Sequence, residues 1–148
     1  MSKQKSQHFN GMSLVELLVA CAVLGLVVAV ALPTYTSYTT KARLSEAIGM
    51  AVPAQMALGE ACAGSFLNAA DNARLSLPAA TGFQTSKVVN SIEAMGLSAT
   101  EARIKIVLKP FGHVQSGDEI VIDGSCSAAG IAWSAARGSR AELTRLLP

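Results

Sequence analysis

The chain has 148 residues, a length that suits one domain and leaves little room for two separate hydrophobic cores. Apolar residues make up 51% of it and charged residues only 15%, which excludes intrinsic disorder over most of its length. The formal charge of +2 is too balanced to indicate a nucleic-acid binder by charge alone. Lys3 and Lys5 supply the excess, so residues 12–148 carry equal numbers of basic and acidic side chains.

The apolar residues are concentrated near the N-terminus. Residues 17–32 contain no charge, and residues 12–15 extend the run on the other side of Glu16. A helix over residues 12–32 would be about 30 Å long at 1.5 Å per residue, which matches the hydrocarbon core of a bilayer. With Lys3 and Lys5 before it, the segment is predicted to enter a membrane with its N-terminus left in the cytoplasm.

Glu16 decides between the interpretations of this segment. A secretory signal cut after small residues 29–31, or a plain membrane anchor, would leave an unpaired carboxylate at bilayer depth, at a cost of at least about 2.5 kcal/mol. A buried core helix would need a larger partner domain than the remaining chain provides. Cleavage between Gly11 and Met12 would instead place a positive α-amine four residues before Glu16. The simpler alternative is that the Glu16 carboxylate reaches the headgroups from the end of the helix.

The pattern that carries the clearest signal begins at residues 11–18, which read GMSLVELL. It continues with Gly25, Ala-Leu-Pro at 31–33, Tyr35, Tyr38 and KARLSEA at 41–47. In these features about the first 60 residues resemble type IV pilins of the short-leader, type IVa class. Met12 departs from the family pattern, in which Phe is usual at that place.

The resemblance implies a processing and assembly pathway. It implies that residues 1–11 are a leader removed between Gly11 and Met12 by a prepilin peptidase, that Met12 is N-methylated, and that Glu16 and Pro33 act in assembly. The subunit would be held in the bacterial inner membrane, then polymerised by the pilus assembly machinery into an extracellular helical filament of identical copies. Adhesion, twitching motility or DNA uptake would follow from the filament.

Two alternatives remain within the same superfamily. One is a pseudopilin of a type II secretion system, and the other is a minor, DNA-binding competence pilin. We favour the pilus because of Tyr35 and Tyr38 and because Cys62 and Cys126 predict a disulfide in the exported part of the chain.

The helix is predicted to continue past the membrane, because Leu44, Ile48 and Val52 recur at spacings of four. A helix over residues 12–64 results, with 12–32 as membrane segment and filament core and 33–64 packed on a head. Pro33 and Pro53 each remove a backbone donor and should kink or loosen it. Pro33 would mark either a static kink or a segment that melts when subunits pack.

The remaining residues, 65–148, are predicted to form a globular β head. An irregular connector, displayed at the surface, runs to about Ser86. Strands are predicted at residues 87–95, 103–109, 119–123 and 131–134, with turns at Gly96, 110–117 and 124–130. The fold class is therefore α+β, a long helix packed on a four-stranded antiparallel meander, as in the pilin fold that the resemblance implies. Residues 139–142 have the spacing of a capping box and predict a final short helix.

The three cysteines are predicted to differ in role. Cys21 lies in the apolar helix and is interpreted as a small buried residue with a free thiol. The resemblance puts Cys62 and Cys126 in the exported, oxidising compartment, and we predict a disulfide between them. No such bond is expected to involve Cys21.

No catalytic constellation, phosphate loop or metal-ligand spacing is recognised, so the chain is not expected to be an enzyme and no cofactor is predicted. His113 is interpreted as a solvated turn residue. Arg103, Lys105 and Lys109 alternate along one strand and point to the same face, followed by further arginines near the C-terminus. This face is either an ordinary solvated surface or a contact surface for DNA.

Overall fold

The structure is a computed structural model that describes residues 13–83 and 86–147, with Pro33 described by its backbone alone. The helices are α1 Leu14–Gly49, α2 Val52–Ala63 and α3 Ala141–Leu146, and the strands are β1 Val89–Gly96, β2 Glu101–Leu108, β3 Glu119–Ser127, β4 Gly130–Trp133 and β5 Arg137–Gly138. The predicted α+β class, with helix before sheet, is confirmed. The chain divides into two compact units, Met1–Tyr35 and Thr36–Pro148.

The long helical segment is interrupted once. α1 ends at Gly49, residues 50 and 51 form a turn, and α2 begins at Val52. Pro53 lies in the first turn of α2, a place where a missing N–H breaks no helical hydrogen bond. The loosening predicted at Pro53 therefore appears as a short turn just before it, whereas α1 runs through Pro33 without interruption.

The sheet is an antiparallel meander in the order β1-β2-β3-β4, and the short strand β5 also pairs with β3. All four predicted strands are present. The predicted turn at 124–130 is wrong, because β3 continues to Ser127. Gly124 stays in the strand because its missing side chain makes room for Trp133, whose ring atom Cζ3 would lie 2.7 Å from a Cβ placed there.

The core of the second unit lies between the helices and one face of the sheet. Burial alternates along β2, with Ile104 and Ile106 fully buried and the residues between them partly exposed. Leu44 of α1 and Leu58 of α2 are fully buried from the helical side. Each such side chain contributes about 1.5–3 kcal/mol relative to an exposed one.

The connector between α2 and β1 is more ordered than a displayed loop. It contains two short 3-10 helices, Leu67–Ala69 and Ala80–Phe83, and buries Leu67 and Leu75. The Asn72 amide donates to the Ile92 carbonyl oxygen at 2.9 Å and accepts from the Ala94 amide at 2.7 Å. The connector thus covers backbone groups at the outer edge of β1, which would otherwise be open to pairing with another chain.

Asn72→Ala is expected to lower the free energy of unfolding by about 2 kcal/mol, because the β1 edge loses two partners that water replaces poorly. Thermal unfolding of the full chain in detergent measures this change. Asn68→Ala, an exposed position in the same connector, is the matched control and should change it little. Equal changes in the free energy of unfolding for the two variants would show that Asn72 does not stabilise the edge of β1.

The final helix is present, but the predicted capping box is wrong. α3 starts after Arg140, and no side chain caps it. The Ser139 hydroxyl instead accepts a hydrogen bond from the Glu119 amide at 3.1 Å, since Ser139 lies beside the start of β3.

Candidate assembly helix and charged sheet face

The first unit presents apolar side chains on every side of α1. The large apolar side chains between residues 14 and 32 are exposed by 50% (Val28) to 73% (Leu14). Within the described residues, one helical segment, Leu14–Ala63, is long and apolar enough to cross a bilayer. A helix with apolar residues all round needs lipid or other helices around it, because neither side can face water.

Two of the predicted assembly residues lie on this helix. Glu16 is exposed in the first turn of α1, where the helix dipole favours a negative charge. At Pro33 the ring nitrogen cannot donate to the carbonyl four residues earlier, and Thr34 Oγ1 donates to the Val30 oxygen at 3.2 Å. Gly11 and Met12, the predicted sites of cleavage and methylation, lie outside the described residues.

A disulfide ties the last turn of α2 to the end of β3. It joins Cys62 and Cys126, the pair selected from the sequence, with their Cα atoms 5.8 Å apart and 64 positions apart in the chain. Cys21 is a free thiol. It was expected to be buried but is exposed in the isolated chain, because it belongs to the apolar helix that has no neighbours here.

Arg103 and Lys105 of β2 pair with acidic side chains of β3, and Lys109, just after β2, has a partner in the connector. Arg103 Nε donates to Asp123 Oδ1 at 2.7 Å, and Lys105 Nζ lies 2.9 Å from Glu119 Oε1. Lys109 Nζ donates to the Ser86 carbonyl oxygen at 2.8 Å. Antiparallel pairing sets Arg103 directly opposite Asp123, so the acids of β3 face the bases of β2.

The ion pairs on this face favour the charged forms of the groups that make them. Asp123 also accepts from Arg137, and the hydrogen bond from Arg103 is the main cause that lowers the Asp123 pKa. The hydrogen bond to Glu119 raises the pKa of Lys105. These pairs leave little net positive charge along β2. Sequence reasoning missed them, although Glu119 and Asp123 alternate on β3 as the bases do on β2.

A buried carboxylate closes the loop between β2 and β3. Asp118 accepts from Arg140 Nε at 2.9 Å, from Arg140 Nη2 and from the Gln115 amide at 2.8 Å. The hydrogen bond from Arg140 lowers the Asp118 pKa more than burial raises it. His113 is an exposed turn residue, as expected. The described residues contain no group of three or more His, Cys, Asp or Glu side chains that could hold a metal ion.

The lowered pKa of Asp118 predicts a loss of stability in acid. The ion pair stabilises the fold fully above the ordinary carboxyl pKa near 3.8, and this stabilisation disappears as the pH falls below that value through the lowered pKa. Asp118→Asn should therefore lower the free energy of unfolding by about 2 kcal/mol at pH 7. It should also reduce the loss of stability that the wild type shows as the pH falls. Urea unfolding of the full chain in detergent at several pH values measures both, with exposed Glu60→Gln as the control. If Asp118→Asn lost stability in acid as the wild type does, the Asp118–Arg140 pair would not be the cause of that loss.

Comparison with known proteins supports the interpretation of the N-terminal segment. Residues 7–32, which include Gly11, Met12 and Glu16, match the family model described as the prokaryotic N-terminal methylation motif. The fimbrial protein EcpC of Eikenella corrodens is 26% identical over 135 residues, 90% of this chain and 86% of that protein.

Two Neisseria proteins show higher identity over a shorter stretch. The type IV major pilin protein PilE1 of Neisseria gonorrhoeae is 44% identical over 51 residues, 34% of this chain and 31% of that protein. A fimbrial protein of Neisseria meningitidis serogroup B is also 44% identical over 51 residues, 34% of this chain and 30% of that protein. These matches span about a third of each Neisseria protein, whereas the match to EcpC covers most of both chains.

The methylation motif, the fimbrial relatives and the apolar helix joined to an antiparallel sheet agree with one another. Together they support a type IV pilin-like chain that serves as a pilus subunit.

Proposed function

We propose that the chain is the repeating subunit of a type IV pilus, stored in the inner membrane and polymerised into an extracellular filament. The observation that carries this proposal is the apolar surface of α1 between residues 14 and 32, which is exposed on all sides. Lipid would surround it before assembly, and the same segments of other copies would surround it afterwards. The role assigned is structural, with no catalytic part.

Processing would prepare the helix for assembly. A prepilin peptidase would remove residues 1–11 by cutting between Gly11 and Met12, and the new terminal amine of Met12 would be methylated. That amine remains positive after methylation and lies about one helical turn from Glu16. At 4 Å and an effective dielectric near 20, the attraction between the two charges is about 4 kcal/mol, which is comparable with the cost of at least about 2.5 kcal/mol for the carboxylate in lipid.

We propose that three consecutive segments of the chain have different roles in the filament. Residues 12–32 would form the filament core, residues 33–64 would carry the head, and residues 65–148 would form its outer surface. At Pro33 one carbonyl lacks its helical donor, so this is where α1 would loosen most easily when subunits pack.

The alternative of a DNA-binding competence pilin is less well supported. Of its proposed contacts, Arg103 and Lys105 lie at ion-pair distance from Asp123 and Glu119, and Lys109 donates to the Ser86 carbonyl oxygen. A phosphate would have to displace those carboxylates, so the face offers less electrostatic attraction than its basic residues suggest. Adhesion and twitching motility are the roles that we propose for the filament.

Deletion of the gene in its host bacterium distinguishes the pilus from the secretion alternative. We expect the deletion to remove surface filaments, seen by electron microscopy, and to leave type II secretion unchanged. Expression of the wild-type chain from a plasmid should restore the filaments. Loss of secretion with intact filaments would assign the chain to a pseudopilus instead.

A further inference from the structure

The solvent-facing side of the sheet carries two open recesses that lie side by side. The first recess, of about 410 Å³, lies where β2, β3 and β4 meet, and the second, of about 290 Å³, lies where β2, β3 and β5 meet. Arg103 lines both of them. The first is hollow because the residues opposite Glu101 on the next two strands, Ser125 and Ala132, have small side chains. Its volume is in the range of small-molecule sites.

Three charged side chains separate the two recesses. Asp123 accepts from Arg103 Nε at 2.7 Å through Oδ1 and from Arg137 Nη2 through Oδ2. The side chains of Arg103 and Arg137 nevertheless stay 41% and 61% exposed. Each guanidinium has several N–H groups beyond the one that Asp123 accepts. Donors already oriented by a partner lose less freedom when a ligand binds, so this trio is prepared for hydrogen bonding.

The recesses also offer hydrogen-bond acceptors and some apolar surface. The hydrogen bond from Arg103 lowers the pKa of Asp123, which keeps that carboxylate ionised at neutral pH. An ionised carboxylate has about four acceptor positions, more than the two arginines use. Ser125 adds an exposed hydroxyl in the first recess, and Leu97, 47% exposed, adds an apolar wall. Donors, acceptors and apolar surface thus lie within one small area of the sheet.

The balance of charge on this face selects the class of ligand. The ion pairs between β2 and β3 cancel most of the charge, and Glu101 in the first recess offsets Arg137 in the second. A polyanion therefore gains little attraction here. A purely apolar ligand would strip water from the charged trio and replace none of its hydrogen bonds. Sugar hydroxyls both donate and accept, and the C–H groups of a sugar ring can pack on Leu97.

We propose that the two recesses bind a neutral oligosaccharide, with one sugar unit in each recess and its hydroxyls on Arg103, Asp123 and Arg137. The inference deepens the proposed adhesive role of the filament and rests on it, because adhesion requires a ligand on another surface. Oligosaccharides of a cell surface are such ligands.

The test applies the full chain, in a detergent without sugar groups, to a printed array of neutral oligosaccharides of glucose, galactose and N-acetylhexosamine. Sialylated and sulfated forms of the same oligosaccharides stand beside them. We expect the wild type to bind neutral members of the array. Arg137→Gln should weaken this binding about tenfold, the loss expected for one hydrogen bond to a charged group.

A second variant fills the first recess without touching the charged trio. Ala132 is exposed, so Ala132→Tyr should place its ring in the recess and weaken binding at least about tenfold, since the contacts of a whole sugar unit are lost. Ala135→Tyr makes the same change at an exposed residue that lines neither recess, and it should bind as the wild type does.

The possible results separate this site from the proposed pilus. A wild-type chain that binds no neutral oligosaccharide, or binds the sialylated or sulfated forms more tightly, would overturn the site. Unchanged binding by Ala132→Tyr, or an equal loss in Ala135→Tyr, would overturn it as well. The array uses separate subunits and does not require assembly, so absence of filaments in the host would count against the pilus and not against the site.

Discussion

Glu16→Gln is expected to reduce surface filaments at least tenfold while the chain remains in the membrane fraction. The substitution keeps the size of the side chain and removes its charge, so the proposed attraction to the Met12 amine, about 4 kcal/mol, is lost. Insertion becomes easier, because the cost of placing a carboxylate in lipid is also removed. Quantifying sheared filaments and membrane-bound subunit by immunoblot in the same cells measures both effects.

The control for this experiment is Glu60→Gln. Glu60 is an exposed acid of α2, outside the apolar segment, and its loss should leave filament yield unchanged. A Glu16→Gln chain that polymerises as well as the wild type would show that the carboxylate plays no part in assembly. The alternative in which Glu16 merely reaches the headgroups would then be the better explanation.

Replacing both Cys62 and Cys126 with serine is expected to destabilise the head by about 4 kcal/mol. The disulfide closes a loop across 64 positions, and on the chain-entropy model a loop of this length restricts the unfolded chain by about that amount. Both cysteines lie at the junction of α2 with β3, and on this model the lost stability reflects the greater freedom of the unfolded chain. Denaturant unfolding of the full chain in detergent measures it, with and without reductant.

Cys21→Ser is the matched control, since it removes the free thiol of the apolar helix and leaves the disulfide intact. It should unfold as the wild type does. Reductant should lower the stability of the wild type and of Cys21→Ser but not that of the double variant. Equal stability of the double variant and the wild type would contradict a stabilising role for the bond.

The sequence predicts the architecture well because the signals that set it are local. Alternation along β2 identifies the strand, and the uncharged run before Pro33 identifies the apolar helix. Ends of elements depend on tertiary contacts and are predicted less well. Glycine is typical of turns, but the Trp133 ring packs over Gly124 and keeps this residue in β3.

The charged face shows most clearly what local patterns leave out. Alternation places Arg103 and Lys105 on one side of β2, but only the register with β3 brings Asp123 and Glu119 to them. Ser139 illustrates the same limit, because its hydroxyl is taken by the Glu119 amide rather than by α3. Register and competition between partners are properties of the folded sheet, and one strand's sequence does not contain them.

The most direct test of the proposed assembly is the N-terminus of subunits recovered from purified filaments. Peptide mass spectrometry should find a chain that begins at Met12 with one methyl group on its α-amine, because that amine is the proposed partner of Glu16. A chain that begins after Leu32, or an uncut chain that begins at Met1, would contradict the account, since neither supplies a positive charge one helical turn before the carboxylate.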